Sequence, residues 1–169
     1  NLFVLKKIQI LLIIALIWTS IEDILKLLEA QNLYKSFGNI DAVSDISISL
    51  NVGEVIGFLG PNGAGKSTTM KMLTGFLEAD SGSIEIKKLD LSKDPINAKS
   101  IIGYLPEGAP SYSDMTVRSF LYFVGKMRGL KDELLEKRLE IMLKDINLFE
   151  VQNQTIETLS KGYKRRVGI

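Results

Sequence analysis

The stretch Gly60-Pro61-Asn62-Gly63-Ala64-Gly65-Lys66-Ser67 constrains the fold of this chain more than any other part of it. It satisfies G-x-x-x-x-G-K-[ST] and follows the apolar run Glu54-Val55-Ile56-Gly57-Phe58-Leu59, which suits a buried strand. Residues 66–74 can then be helical, stopping at Gly75. Strand, loop and helix in that order are what a phosphate cradle requires. Glycines at 60, 63 and 65 let the backbone wrap closely around an anion, while loop amides and the helix N-terminus point at it. Lys66 is placed to reach β and γ phosphate oxygens, Ser67 to ligate the Mg²⁺ that bridges them, and Thr68 to add a hydroxyl to the α or β phosphate. A glycine-rich turn without function would match the four fixed positions about once in a hundred chains of this length.

Composition narrows the chemistry further. Among 169 residues there is no Cys and no His, which excludes disulfides, sulfur- or imidazole-ligated zinc, Cys nucleophiles and Ser-His-Asp triads. Carboxylates, hydroxyls, Lys, Arg, backbone amides and oxygen-ligated metals remain. With 21 basic against 20 acidic side chains, no electrostatic footprint for a nucleic-acid partner is expected.

The N-terminal segment differs from the rest. It carries the unbroken run Ile10-Leu11-Leu12-Ile13-Ile14-Ala15-Leu16-Ile17-Trp18 behind Lys6 and Lys7. A membrane span needs about 20 apolar residues, and the run from Ile8 to Ile21 is shorter and contains Gln9, Thr19 and Ser20. A secretory signal would need a small-x-small cleavage site after Trp18, where the chain reads Thr19-Ser20-Ile21-Glu22-Asp23. An appended or mistranslated extension, a membrane-surface anchor or the end of a truncated membrane segment are the readings left open for residues 1–27. The domain proper is expected over 28–169.

Within that domain the pattern is β-rich, then α/β, then helical. Residues 28–33 read as a short strand, and Asp45-Ile46-Ser47-Ile48-Ser49-Leu50 alternates as a half-buried strand should. Residues 83–86 and 101–105 read as further strands. Beyond Thr116, Phe120, Leu121, Phe123, Val124 and Met127 are expected on one apolar helix face, and Leu134, Leu135, Leu139, Met142 and Leu143 on another, with Gly129 between the helices.

About a hundred residues after the glycine-rich loop stands Thr158-Leu159-Ser160-Lys161-Gly162-Tyr163-Lys164-Arg165-Arg166-Val167. Its Leu159, Ser160, Lys161, Gly162 and Tyr163 resemble the LSGGQ signature of ATP-binding cassette (ABC) proteins in an LSKGY variant. With the loop, this makes the chain similar to the ATP-binding subunits that pair with ABC-2 type export permeases. The resemblance implies an α/β P-loop NTPase of ABC type: an antiparallel β subdomain, a partial RecA-like core, and an α-helical subdomain at about 110–160, incomplete at the C-terminus. It further implies ATP and Mg²⁺ as cofactors, a second ABC ATP-binding subunit as a homo- or heterodimer partner, a transmembrane permease, and a peripheral position on the cytoplasmic membrane face.

Residue by residue, Lys35-Ser36-Phe37-Gly38 resembles the A-loop, making Phe37 the candidate that stacks on adenine and Tyr34 the runner-up. Tyr104-Leu105-Pro106-Glu107 takes the place of the Q-loop, with Glu107 standing where the family has Gln and offered as a second Mg²⁺ ligand. Ser160 and Gly162 are expected at a helix N-terminus that binds the γ phosphate of an ATP held by the second subunit. In the family, an apolar strand ending in Asp, a catalytic Glu and a switch His follow the signature, whereas this sequence stops at Ile169. The expectation is therefore a chain that binds ATP without hydrolysing it, from a parent that couples hydrolysis to export. A non-catalytic nucleotide-binding or subunit-interaction module is the alternative. Another P-loop enzyme, such as a GTPase or kinase, is disfavoured by the signature.

Overall fold

The computed structural model describes residues 26–106 and 112–169. The N-terminal segment up to residue 25 and the candidate metal ligand Glu107 lie outside the described residues. The chain divides into two compact units, one ending at Ile102 and one beginning at Gly103.

In the first unit, β1 (Lys26–Phe37) and β2 (Ile40–Asn51) form a long hairpin, closed by a turn at Gly38 and Asn39 in which Phe37 faces Ile40. β3 (Ser81–Ile86) and β4 (Leu89–Asp90) complete a four-stranded antiparallel sheet of order β2-β1-β3-β4. The expected alternation holds along β2, where Ile46 and Ile48 turn to the core and Ser47 and Ser49 to solvent. β1 needs a correction that sequence periodicity does not announce. Ala30 and Leu33 are both buried yet lie three residues apart, the wrong parity for one strand face. A bulge between them, with Asn32 at φ 49°, restores the parity. Opposite it, Asp45 at φ 52° does the same for Val43 and Ile46.

α1 (Lys66–Leu73) lays Thr69, Met72 and Leu73 into the core. It ends as expected at Gly75, whose φ of 72° allows the reversal in which the Phe76 amide donates to the Lys71 carbonyl. The short α2 (Pro95–Ser100) begins with Asp94 accepting from the Asn97 amide and Pro95 in the first turn, and it buries Ala98. Ala30, Leu33, Val43, Met72, Leu73, Ile84, Ile86 and Ala98 make the core of this unit.

Two expected strands are absent. Residues 54–59 have no regular secondary structure, and Val55 and Leu59 are 95% and 96% exposed. Residues 101–105 likewise form no strand, and Ile101 is exposed. An apolar run becomes a buried strand only when neighbours supply ladder hydrogen bonds and a covering layer. Among the described residues, every named strand pairs within the β2-β1-β3-β4 sheet instead.

The second unit is helical. α3 (Val117–Met127) is capped by Thr116, whose hydroxyl accepts from the Ser119 amide, and it ends at Gly129 with φ 80°. α4 (Asp132–Asp145) packs Leu135, Leu139 and Leu143 inward. The crossing is close: a Cβ on Gly125 would lie 2.2 Å from Leu135 Cδ1. The buried face of α3 is therefore Val117, Phe120, Leu121 and Gly125, while Phe123, Val124 and Met127 are exposed. The buried face is rotated from the expected one because a glycine reads as a gap in apolar periodicity, although here its missing side chain leaves room for Leu135. Two short 3₁₀ turns, Phe149–Val151 and Ile156–Thr158, lead into α5 (Lys161–Val167). No described helix is long and apolar enough to cross a membrane.

Candidate functional site

The glycine-rich loop occupies 60–65 and hands directly into α1, whose first residue is Lys66. Gly60, Gly63 and Gly65 have φ of 158°, 85° and 77°. At Gly65 the requirement is both conformational and steric, because an added Cβ would lie 2.2 Å from the Ala42 carbonyl oxygen and 3.3 Å from a methyl of Val43. The loop thus leans on β2 at its last residue. The Ala64 amide donates to the Pro61 carbonyl, which closes a small turn around Asn62 and Gly63.

Lys66 points back across this loop. Its ammonium donates to the Gly60 carbonyl at 2.8 Å and the Pro61 carbonyl at 2.6 Å. Ser67 is exposed and Thr68 half-buried at the helix start. The first-turn amides of α1 have no helical carbonyl to bond, so they present donors and the positive end of the helix dipole. Glycines that keep side chains out of the loop, a cation across it and a hydroxyl at the helix start suit a polyphosphate with its Mg²⁺. Thr69, which sequence reasoning passed over, is 2% exposed and donates its hydroxyl to the Gly65 carbonyl at 3.0 Å. Polar and buried, it ties the loop to the first turn; its signal in the sequence was only its adjacency to the motif.

At the tip of the β1–β2 hairpin, in the same unit, Phe37 is half exposed. Lys35 lies two residues back on the same strand, with its ammonium 5.7 Å from the Phe37 ring centroid. Tyr34, the runner-up, is 40% exposed and pairs with Ser81 across the sheet. One residue that the sequence did not single out braces this tip. Asp80 accepts from Lys35 Nζ at 2.6 Å and from the Ser36 amide at 2.7 Å, while its own amide donates to the Tyr34 carbonyl at 2.9 Å. The Lys35 ammonium and the Ser36 amide hold the Asp80 carboxyl below its ordinary value.

In the second unit, Ser160 is the N-cap of α5, its hydroxyl accepting from the Tyr163 amide at 3.4 Å. Leu159 before it is buried, and Lys161, Gly162 and Tyr163 form the first turn. Lys164 donates to the Glu157 carbonyl at 2.8 Å, and the Arg166 guanidinium lies 5.2 Å from the Tyr163 ring centroid. Two cations of the basic helix start are thus engaged locally. In the first unit the loop runs straight into Lys66, Ser67 and Thr68 at the start of α1, while Phe37 lies at the tip of the β1–β2 hairpin; in the second, residues 159–163 lead into and open α5.

Comparison with known proteins gives a consistent result. The family model described as "ABC transporter" matches residues 43–169. The linearmycin resistance ATP-binding protein LnrL of Bacillus subtilis is 41% identical over 143 residues, covering 85% of this chain and 46% of that protein. The lipopolysaccharide export system ATP-binding protein LptB of Haemophilus influenzae is 36% identical over 148 residues, covering 86% and 61%. The solved structure of an ATP-binding subunit of an ABC transporter superposes with a TM-score of 0.75 at 30% identity, covering 83% of this chain and 59% of that one. The chain thus spans about half to three fifths of the length of the proteins it matches.

Proposed function

The chain belongs to the ABC transporter family, and from that premise we propose that it is the nucleotide-holding part of a transporter's ATP-binding subunit, binding Mg-ATP on the loop from Gly60 to Ser67. The observation that carries the reading is Lys66, folded over a loop of positive-φ glycines at the start of α1. In this reading the Lys66 ammonium exchanges the Gly60 and Pro61 carbonyls for β and γ phosphate oxygens, a stronger charge-assisted partner. Loop amides orient the phosphates, Ser67 holds the metal, and Thr68 adds a donor. Bound Mg²⁺ would neutralise phosphate charge. Phe37 offers a ring face to the adenine.

The wider role follows the same reading. Ser160 and Gly162 at the start of α5 would meet the γ phosphate of nucleotide on a second ABC subunit, so that two chains close head to tail and drive a membrane permease. Both named relatives are ATP-binding proteins, one named for linearmycin resistance and one for an export system, which favours export; a peripheral position at the cytoplasmic membrane face belongs to the same reading. Titration of the 169-residue chain with Mg-ATP by calorimetry tests the binding half. Saturable binding that Lys66→Ala weakens at least tenfold, with circular dichroism unchanged, is the expected result; equal affinity of the Lys66→Ala chain would overturn it.

A further inference from the structure

We propose that Asp80 is a positioning residue for base binding, holding the Phe37 platform in a stacking-ready geometry through Lys35 and the Ser36 amide. The inference rests on the adenine-binding reading of Phe37 and names the residue on which its efficiency depends. Phe37 is the last residue of β1, half exposed beside a two-residue turn, a place where a side chain is ordinarily free to sample rotamers. Three consecutive residues before it are fastened by Asp80: Tyr34 through its carbonyl, Lys35 through its ammonium and Ser36 through its amide. Across the hairpin, the Ser36 hydroxyl donates to Asp41 at 2.8 Å, so the tip is gripped from both sides.

The bond that matters for the ring is the one to Lys35. An unpaired lysine beside an aromatic ring swings on four rotatable bonds, whereas the Lys35 side chain is only 15% exposed and is pinned at 2.6 Å to Asp80. Pinned there, its ammonium sits over the Phe37 ring, 5.7 Å from the centroid and within cation–π reach, which favours one ring orientation. The Asp80 carboxylate also meets much of the Lys35 charge, so the ring is braced without a loose cation competing for the base. Asp80 belongs to the connection between α1 and β3, and α1 begins at the phosphate loop, so platform and cradle hang on one continuous piece of chain. Stacking reads the presence of a base more than its edges. The signature of Asp80 is therefore the affinity difference between a nucleotide and a bare triphosphate.

The test uses the full chain and two probes, Mg-ATP and Mg-tripolyphosphate, by calorimetry. Phe37→Ala should weaken Mg-ATP by roughly 5- to 100-fold and leave tripolyphosphate unchanged. Asp80→Asn should weaken Mg-ATP about three- to tenfold, again sparing tripolyphosphate, and should add nothing on the Phe37→Ala background. Lys35→Met, which keeps the length of the side chain without its charge, should reproduce the loss if Asp80→Asn does not fold, and Asp80→Glu should recover most of it. Equal losses for both probes, or full additivity with Phe37→Ala, would overturn the positioning role. An unchanged ATP affinity in Asp80→Asn and Lys35→Met, with Phe37→Ala still impaired, would overturn it while leaving the adenine reading intact. An unchanged Phe37→Ala would overturn both.

Discussion

Asn32 and Asp45 face each other across the β1–β2 hairpin with both backbones at positive φ, and the Asn32 amide donates to the Asp45 carboxylate at 2.7 Å. Each residue is the extra one that returns its strand to core parity. Asn and Asp tolerate this backbone region better than other side chains. The pair therefore lets Ala30, Leu33, Val43 and Ile46 all turn toward one core. Replacing Asn32 by Val removes the hydrogen bond and places a β-branched residue at φ 49°, at an expected cost of about 1–2 kcal/mol. Asn32→Gly should cost clearly less. Urea midpoints of the two variants check this; equal losses would mean that backbone conformation is not the issue.

Gly65→Ala should cost more in binding than its size suggests. Its methyl group would meet the Ala42 carbonyl at 2.2 Å, so β2 or the loop must move. We expect roughly 1–3 kcal/mol of destabilisation together with loss of Mg-ATP binding in calorimetry. Retained binding at wild-type affinity would show that the loop does not need its contact with β2.

At Gly125 two effects oppose each other. Alanine there improves helix propensity by about 1 kcal/mol, but its methyl would press on buried Leu135 at 2.2 Å, an overpacking penalty of about 1–3 kcal/mol. Net destabilisation of about 1 kcal/mol is expected for Gly125→Ala. Combined with Leu135→Val it should lose less than the two single changes added together. A stabilised Gly125→Ala, measured by thermal unfolding, would mean that α3 and α4 are not in close contact at this point.

Acid should loosen the Asp80 brace. The folded protein holds the Asp80 carboxyl below its ordinary value through Lys35 and Ser36, and the Asp132 carboxyl likewise through Lys126 and Tyr122. For such groups the unfolded chain binds protons first as the pH falls. Their contribution is full above the unfolded value near 4 and is lost as pH drops through the lower folded values. Thermal midpoints between pH 7 and pH 2 should fall less steeply for Asp80→Asn than for the parent chain. Parallel curves would show that this ion pair carries no linkage.

How much of this could be seen in the sequence depends on the range of the interaction responsible. Glycines at fixed spacing before a lysine and a hydroxyl are a local pattern, and the turn they make is local; so are the stops at Gly75 and Gly129. The α3 face differs from its apolar pattern because Gly125 contributes by what it lacks. Residues 54–59 show the other limit: strongly apolar, yet without a ladder partner among the described residues, and exposed at Val55 and Leu59. Asp80 could not have been picked out, since its bonds reach Lys35 and Ser36 some 44 residues away.

The sequence alone determined the loop, the stops at Gly75 and Gly129 and the order of the helices after Thr116, because backbone preference and near-neighbour hydrogen bonds set these. Tertiary structure decided which apolar runs find partners, which parity the bulges at Asn32 and Asp45 restore, and which carboxylate braces Phe37. Burial and strand pairing are properties of segments brought together from a distance, and a charge such as that of Asp80 acquires its role only when folding brings Lys35 within 2.6 Å.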